Sequence, residues 1–288
     1  MKGRFALAAI VAAAGLLLAG VTPALAQDGH HDRDGTYLAL GDSYAFSYSP
    51  LLDPRNAANF VGYSDSVAHS LDLGLTNAAC PGETSGSFVS GTAPDNGCHE
   101  NYPPLPLHVS YTGSQLAFAV QYLKTHRHTQ LVTLQVGGND LLILLDQTCH
   151  GDLTCTAAGL QGVETQMAAN LTTIYTAIRR TAHYHGVIVS VPYFAFNYND
   201  AQLAGLAGSL DGVESTVAQQ FGARVADVFD AFKTASAPSG IPCLAGLQVP
   251  TPPTCDIHPS AAGHAVIASA ILAALSDEHG DLGGDHGN

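Results

Sequence analysis

The chain has 288 residues, with 24 Asp and Glu against 10 Lys and Arg, a net charge of −14, and 46% hydrophobic residues. A surface of that sign repels phosphate backbones, which argues against a nucleic-acid partner, and it gives little attraction to anionic membranes. Length and composition suit a single α/β layer structure with one domain.

Residues 1–26 read as a secretory signal. Lys2 and Arg4 precede an apolar run from Phe5 to Ala19, and Ala24-Leu25-Ala26 fits a small-x-small cleavage site. The run is shorter than the roughly 20 residues that span a bilayer, and no later run is long enough. No stable membrane insertion is expected, and the mature protein is expected outside the cell. It would start at Gln27, with 262 residues (288 less 26) and 8 Lys and Arg against 24 acids, a net −16. Residues 27–35, with His30 and His31, read as a disordered leader rather than a metal site.

Thr36 to Leu40 is a short apolar run that reads as a buried strand, ending at Gly41-Asp42-Ser43. A hydroxyl just past a central strand sits where open α/β sheets bind ligands. Ser43 is therefore a candidate nucleophile, although Gly-Asp-Ser also occurs in plain turns. A loop with Pro50 and Pro54 follows, then a helix over 60–71 and a second strand over 74–79. That strand ends at Cys80-Pro81-Gly82-Glu83. Residues 86–106 are rich in Gly, Pro and Ser and read as a long loop.

A helix is expected over 114–124 with Ser114 as its cap. The strand Leu131–Val136 ends in Gly137-Gly138-Asn139-Asp140, and the apolar run Leu141–Leu145 begins a buried helix. A long helix over 157–184, a strand over 187–191, a helix over 200–221 and a short strand over 224–229 come next. A Pro-rich loop over 235–254 leads to a last helix over 260–275, whose Ile267, Ile271 and Leu275 share a stripe. The tail over 277–288 reads as disordered, and 36–276 as one domain. Strands alternating with helices give a mostly parallel sheet covered on both faces.

Six cysteines in a secreted chain argue for disulfides. Fifteen pairings are open, but the cysteines form three local couples, so Cys80–Cys98, Cys149–Cys155 and Cys243–Cys255 are expected. Zinc is the rival reading, but no Cys-x-x-Cys spacing is present. Each bridge closes a modest loop and contributes about 2–4 kcal/mol.

In a parallel sheet all C-terminal strand ends share one edge, so Ser43, Gly82 and Asn139 converge in space. Acyl transfer needs such a set: a serine, and donors already in place for the oxyanion it creates. The base is sought among fourteen histidines. His258 stands out, with Asp256 before it and Pro259 after it. His126, His128, His183 and His185 sit in polar stretches, and His264 reads as packed within the last helix.

These four blocks, Gly41-Asp42-Ser43, Gly82, Gly137-Gly138-Asn139-Asp140 and Asp256/His258, resemble in kind and order those of the SGNH (GDSL) hydrolase family. The resemblance runs from Gly41 to His258. It implies a three-layer α/β/α sandwich of flavodoxin-like type and an ester hydrolase that needs no metal or cofactor. It makes Ser43 the nucleophile and His258 the base. The Ser43 N–H, the Gly82 N–H and the Asn139 amide form the oxyanion hole. Three disulfides are similar to those of the secreted actinobacterial lipases and esterases. One departure matters. The family usually has its Asp three residues before the His, and here that residue is Cys255, so either Asp256 or a backbone carbonyl near it orients His258. The elbow Gly-x-Ser-x-Gly is absent around Ser43.

The expectation is a monomeric secreted serine esterase or lipase acting on a small-molecule or lipid ester through an acyl-enzyme on Ser43. Tyr44, Phe46 and Tyr48 either wall an acyl pocket or pack in the core. An acetyl-polysaccharide esterase and a non-catalytic lipid- or carbohydrate-binding protein are the alternatives. A metallohydrolase is disfavoured, since no His-Glu-x-x-His is present.

Overall fold

The computed structural model describes residues 35–102 and 104–276. The signal, the tail and all of the leader except Gly35 lie outside the described residues.

Five strands form one parallel sheet: β1 (Thr36–Gly41), β2 (Gly74–Asn77), β3 (Thr129–Gln135), β4 (Val187–Ser190) and β5 (Arg224–Val225), in the order β2-β1-β3-β4-β5. Two further strands, β6 (Gln248–Thr251) and β7 (Thr254–Pro259), pair antiparallel as a separate ribbon. The helices are α1 (Ser43–Phe46), α2 (Tyr63–Ser70), α3 (Ser85–Val89), α4 (Cys98–Asn101), α5 (Gln115–Thr125) and α6 (Gly138–Leu142). They continue with α7 (Leu153–Thr176), α8 (Ala201–Gln220), α9 (Val228–Ala235) and α10 (Ala261–Ser276).

Tyr37, Leu38, Ala39 and Leu40 are all fully buried, as a strand covered on both faces requires. Their alternation divides two cores. Tyr37 and Ala39 face α2, α9 and α10 through Val67, Phe232, Ile267 and Ile271. Leu38 and Leu40 face α5, α7 and α8 through Leu116, Met167, Leu171 and Leu210. The result is a sheet covered on both faces, as the alternating pattern predicts, in the three-layer α/β/α sandwich that the resemblance implies. The strand order reverses its winding between β1 and β3, and ligand crevices open at the C-terminal edge of such a switch point. Ser43 follows β1 and Asn139 follows β3, so both arrive at that crevice.

Three stretches differ from the sequence reading. The expected strand over 224–229 stops at Val225, because the Asp227 carboxylate caps the Asp230 N–H and starts α9. The loop expected over 235–254 contains β6, which pairs with the strand carrying His258. The loop expected over 86–106 contains most of α3 and all of α4. Conversely α8 forms across Gly205, Gly208 and Gly212, since Asp200 caps it and Leu206, Leu210 and Val217 are buried. The three bridges Cys80–Cys98, Cys149–Cys155 and Cys243–Cys255 are present.

Candidate active site

At the end of β1 the backbone makes an abrupt turn. Gly41 has φ +142°, and a Cβ there would collide with the Gln135 carbonyl oxygen. The Gln115 side chain grips the same residue on both sides: it accepts from the Gly41 N–H at 2.6 Å and donates to the Gly41 carbonyl at 3.0 Å. Asp42 then caps α1 by accepting from the Tyr44 N–H at 3.0 Å. Ser43 is the first residue of that short helix and is 8% exposed. Its N–H points out of a helix N-terminus and finds no acceptor among the described residues.

The second loop brings up Gly82 at φ +88°, where a Cβ would strike the Asn96 backbone. The Asn96 N–H donates to the Gly82 carbonyl at 2.8 Å, and the Gly82 N–H finds no acceptor among the described residues. The Asn96 side chain also donates to Asn139 Oδ1 at 3.0 Å, so the Asn139 NH2 group is turned the other way. That NH2 donates to the Glu83 carbonyl at 3.0 Å and lies 3.4 Å from Asp42 Oδ2, a long contact that leaves its second hydrogen open to a stronger acceptor. Asp140 ties the two loops by accepting from the Ser85 N–H at 2.8 Å and the Ser85 hydroxyl at 2.6 Å.

His258 arrives from outside the sheet, on β7. Its Nδ1 is paired with Asp256 Oδ1, and its own backbone N–H donates to the same oxygen at 3.0 Å. This Asx-type turn lets a carboxylate only two residues away fold back onto the ring. The hydrogen bond from His258 holds the Asp256 carboxyl below the usual carboxylate range. The Asp256 carbonyl is already used, accepting from Gln248 Nε2 at 3.1 Å. The imidazole stands edge-on to Tyr48, with ring centroids 4.8 Å apart, and to Tyr44 at 5.7 Å. The Tyr44 hydroxyl donates to the Ile257 carbonyl at 2.7 Å and so links α1 to β7.

Ser43, Gly82, Asn139 and His258 line one hollow, although they come from β1, β2, β3 and β7 ends far apart in sequence. A model of the GDSL-like Lipase/Acylhydrolase family matches residues 39–266.

The chain belongs to the GDSL-like lipase/acylhydrolase family. As such it is a carboxylic-ester hydrolase. No curated protein matches it at the sequence level. Among solved structures it is similar to a phospholipase A1 from Streptomyces albidoflavus, with a TM-score of 0.57 and 19% identity over 83% of this chain and 98% of that one. It is also similar to an extracellular lipase from Streptomyces rimosus, with a TM-score of 0.55 and 20% identity over 83% and 99%. A variant acetyl xylan esterase from Geobacillus stearothermophilus gives 0.51 and 18% over 84% and 96%. At these identities the likeness is one of fold.

Several groups in this GDSL hydrolase have no local sequence signal. Tyr193 donates its hydroxyl to Asp42 Oδ2. Gln115 also donates to Glu83 Oε2 at 3.0 Å. Burial raises both the Asp42 and the Glu83 carboxyl to about 7. Position in the chain offers one hint: Tyr193 follows the C-terminal end of β4, at the same sheet edge as Ser43 and Asn139. Of the aromatics after Ser43, Tyr44 and Tyr48 line hollows, while Phe46 is fully buried against Phe60 and Tyr102. The run Leu141–Leu145, expected as buried helix, is only half-buried, and Leu141, Leu142 and Leu145 line a groove. His264 is buried against Tyr63, and burial lowers its ring to about 4. Two groups of His, Cys, Asp and Glu are close enough to hold a metal among the described residues, but both use Cys80 or Cys98, whose sulfurs are joined to each other.

Proposed function

We propose that the protein is a secreted serine esterase that cleaves carboxylic esters through an acyl-enzyme on Ser43. The observation that carries this reading is the meeting of Ser43, two open backbone N–H groups, the oriented Asn139 amide and an Asp256-paired His258 in one hollow. His258 Nε2 takes the Ser43 proton as Oγ attacks the carbonyl carbon. Asp256 keeps the Nδ1 proton in place and stabilises the imidazolium. The Ser43 N–H, the Gly82 N–H and the Asn139 amide receive the oxyanion. His258 then protonates the leaving alkoxide as the C–O bond breaks. A water, deprotonated by the same imidazole, attacks the acyl-enzyme and releases the acid and free Ser43. None of these steps requires a metal or cofactor.

Secretion is supported by the signal-like residues 1–26 and by the three disulfides, which persist in oxidising compartments. The test is hydrolysis of a p-nitrophenyl ester by wild type and Ser43→Ala, with covalent labelling by a phosphonate. The variant is expected to lose labelling and activity by about 10³-fold or more. A variant with wild-type rate overturns the serine mechanism. Mature protein from the culture medium should begin at Gln27.

A further inference from the structure

Two hollows meet at Ser43, and the second is the more polar of the two. The first is a groove between α6 and α8, walled by Leu141, Leu142 and Leu145 on one side and Leu203, Leu206 and Leu210 on the other. The second is bordered by Asn96, Asn101, Tyr48 and Tyr102, with Pro54, Pro81 and Leu105 between them. Ser43, Asn139 and Ile257 line both, whereas His258 lines only the second.

We propose that the groove takes the acyl chain and the second hollow takes the alcohol. The substrate class is then an ester of a long apolar acid with an uncharged hydroxylated alcohol such as glycerol or a sugar. The assignment rests on the serine mechanism proposed above. In that mechanism the leaving oxygen receives its proton from His258, so the alcohol must lie on the imidazole's side of the carbonyl carbon. The remaining substituent of that carbon then points away from His258, into the leucine-walled groove. An acetyl group leaves those walls uncovered. The first three or four methylenes placed against them each raise kcat/KM about fourfold.

The alcohol side carries its own restriction. Apart from His258, the lining of the second hollow holds no acidic or basic side chain among the described residues. Amides and phenols there suit hydroxyl groups. No Lys or Arg lines it to offset a phosphate beyond the reacting carbonyl, and the chain as a whole carries −14. An alcohol bearing phosphate is therefore disfavoured.

Ala207 lines the groove from α8, half-buried beside Leu206. A phenyl ring at this position would fill the groove. The experiment measures kcat/KM on p-nitrophenyl acetate, butyrate, hexanoate and decanoate, below their aggregation limits, for wild type and Ala207→Phe. It also compares 1-decanoylglycerol with its 3-phosphate. In wild type, decanoate is expected to exceed acetate by about a hundredfold or more, and Ala207→Phe to cut that ratio by about tenfold. The uncharged glycerol ester should turn over about tenfold faster than the phosphate. Acetate preferred over decanoate in wild type overturns the acyl assignment, whether or not the variant folds, and so does an unchanged ratio in Ala207→Phe. Equal or faster cleavage of the phosphate overturns the alcohol assignment. In each of those cases ester hydrolysis persists and the serine reading survives. Absence of hydrolysis on every ester overturns that reading and this assignment together.

Discussion

The proposed nucleophile and the proposed base stand on two different kinds of structure. Ser43 is planted at the end of the central sheet, and its surroundings are cross-tied. Gln115 grips Gly41, Asp140 holds Ser85, and Asn96 joins the Gly82 backbone to the Asn139 amide. His258 stands on a two-stranded ribbon outside that sheet. The ribbon is secured by the Cys243–Cys255 bridge, by Gln248 on the Asp256 carbonyl, and by the Tyr44 hydroxyl on the Ile257 carbonyl. The oxyanion side thus depends on long-range contacts between sheet ends. The base depends on a two-residue turn and a phenol reaching from α1.

Substitutions that separate these two supports test the comparison. The largest effect is expected on the base side. Asp256→Asn keeps the side-chain shape but removes the carboxylate that fixes the imidazole tautomer, so kcat should fall about 10³–10⁴-fold. A fall of less than tenfold, with the fold intact by circular dichroism, would show that the ribbon orients His258 without the carboxylate. A smaller effect is expected across the cross-ties. Asn96→Asp sets a carboxylate oxygen against Asn139 Oδ1 and favours the flipped amide, so kcat should drop about tenfold while KM changes little. A lower melting temperature with an unchanged kcat would reduce Asn96 to packing.

A last effect, on stability and not on rate, is expected against pH. Glu83 and Asp42 have ordinary carboxyl values of 4.5 and 3.8 and rise to about 7 in the fold, because burial disfavours the charged form. The unfolded chain therefore releases these protons from about pH 4, while the folded chain keeps them. Stability should fall as pH rises from about 4 to about 7, by at most about 1.4 kcal/mol per pH unit for each group, and level off above. Asp256 has the opposite sign: its lowered carboxyl adds stability above about pH 4 and loses it below. Urea titrations between pH 4.5 and 8 read the slope, and Glu83→Gln should flatten it.

Much of this was legible in the sequence because the informative residues are local. The buried runs 36–40, 131–136 and 187–191 are continuous and apolar, as parallel strands covered on both faces must be. Gly41 and Gly137 mark the turns at two of their ends, and Gly82 marks the turn after β2. The cross-ties were not legible. Gln115 meets Gly41 across 74 residues, and Tyr193 meets Asp42 across 151. No periodicity records such pairs. The ribbon was hidden for another reason: β6 has four residues and includes Pro250, so composition reads as loop. At 224–229 the expected strand ends at Val225, and Asp227 as the cap of α9 was the signal that the strand reading passed over.

The shared border of the two hollows has a kinetic consequence. If acid and alcohol occupy separate compartments, the alcohol can depart while the acyl group stays bound to Ser43. The vacated compartment is then the entrance for the second nucleophile, and water has no privileged claim to it. On the proposed mechanism, added glycerol should partition the acyl-enzyme between hydrolysis and transesterification, and the enzyme would carry acyl groups between alcohols whenever water is scarce.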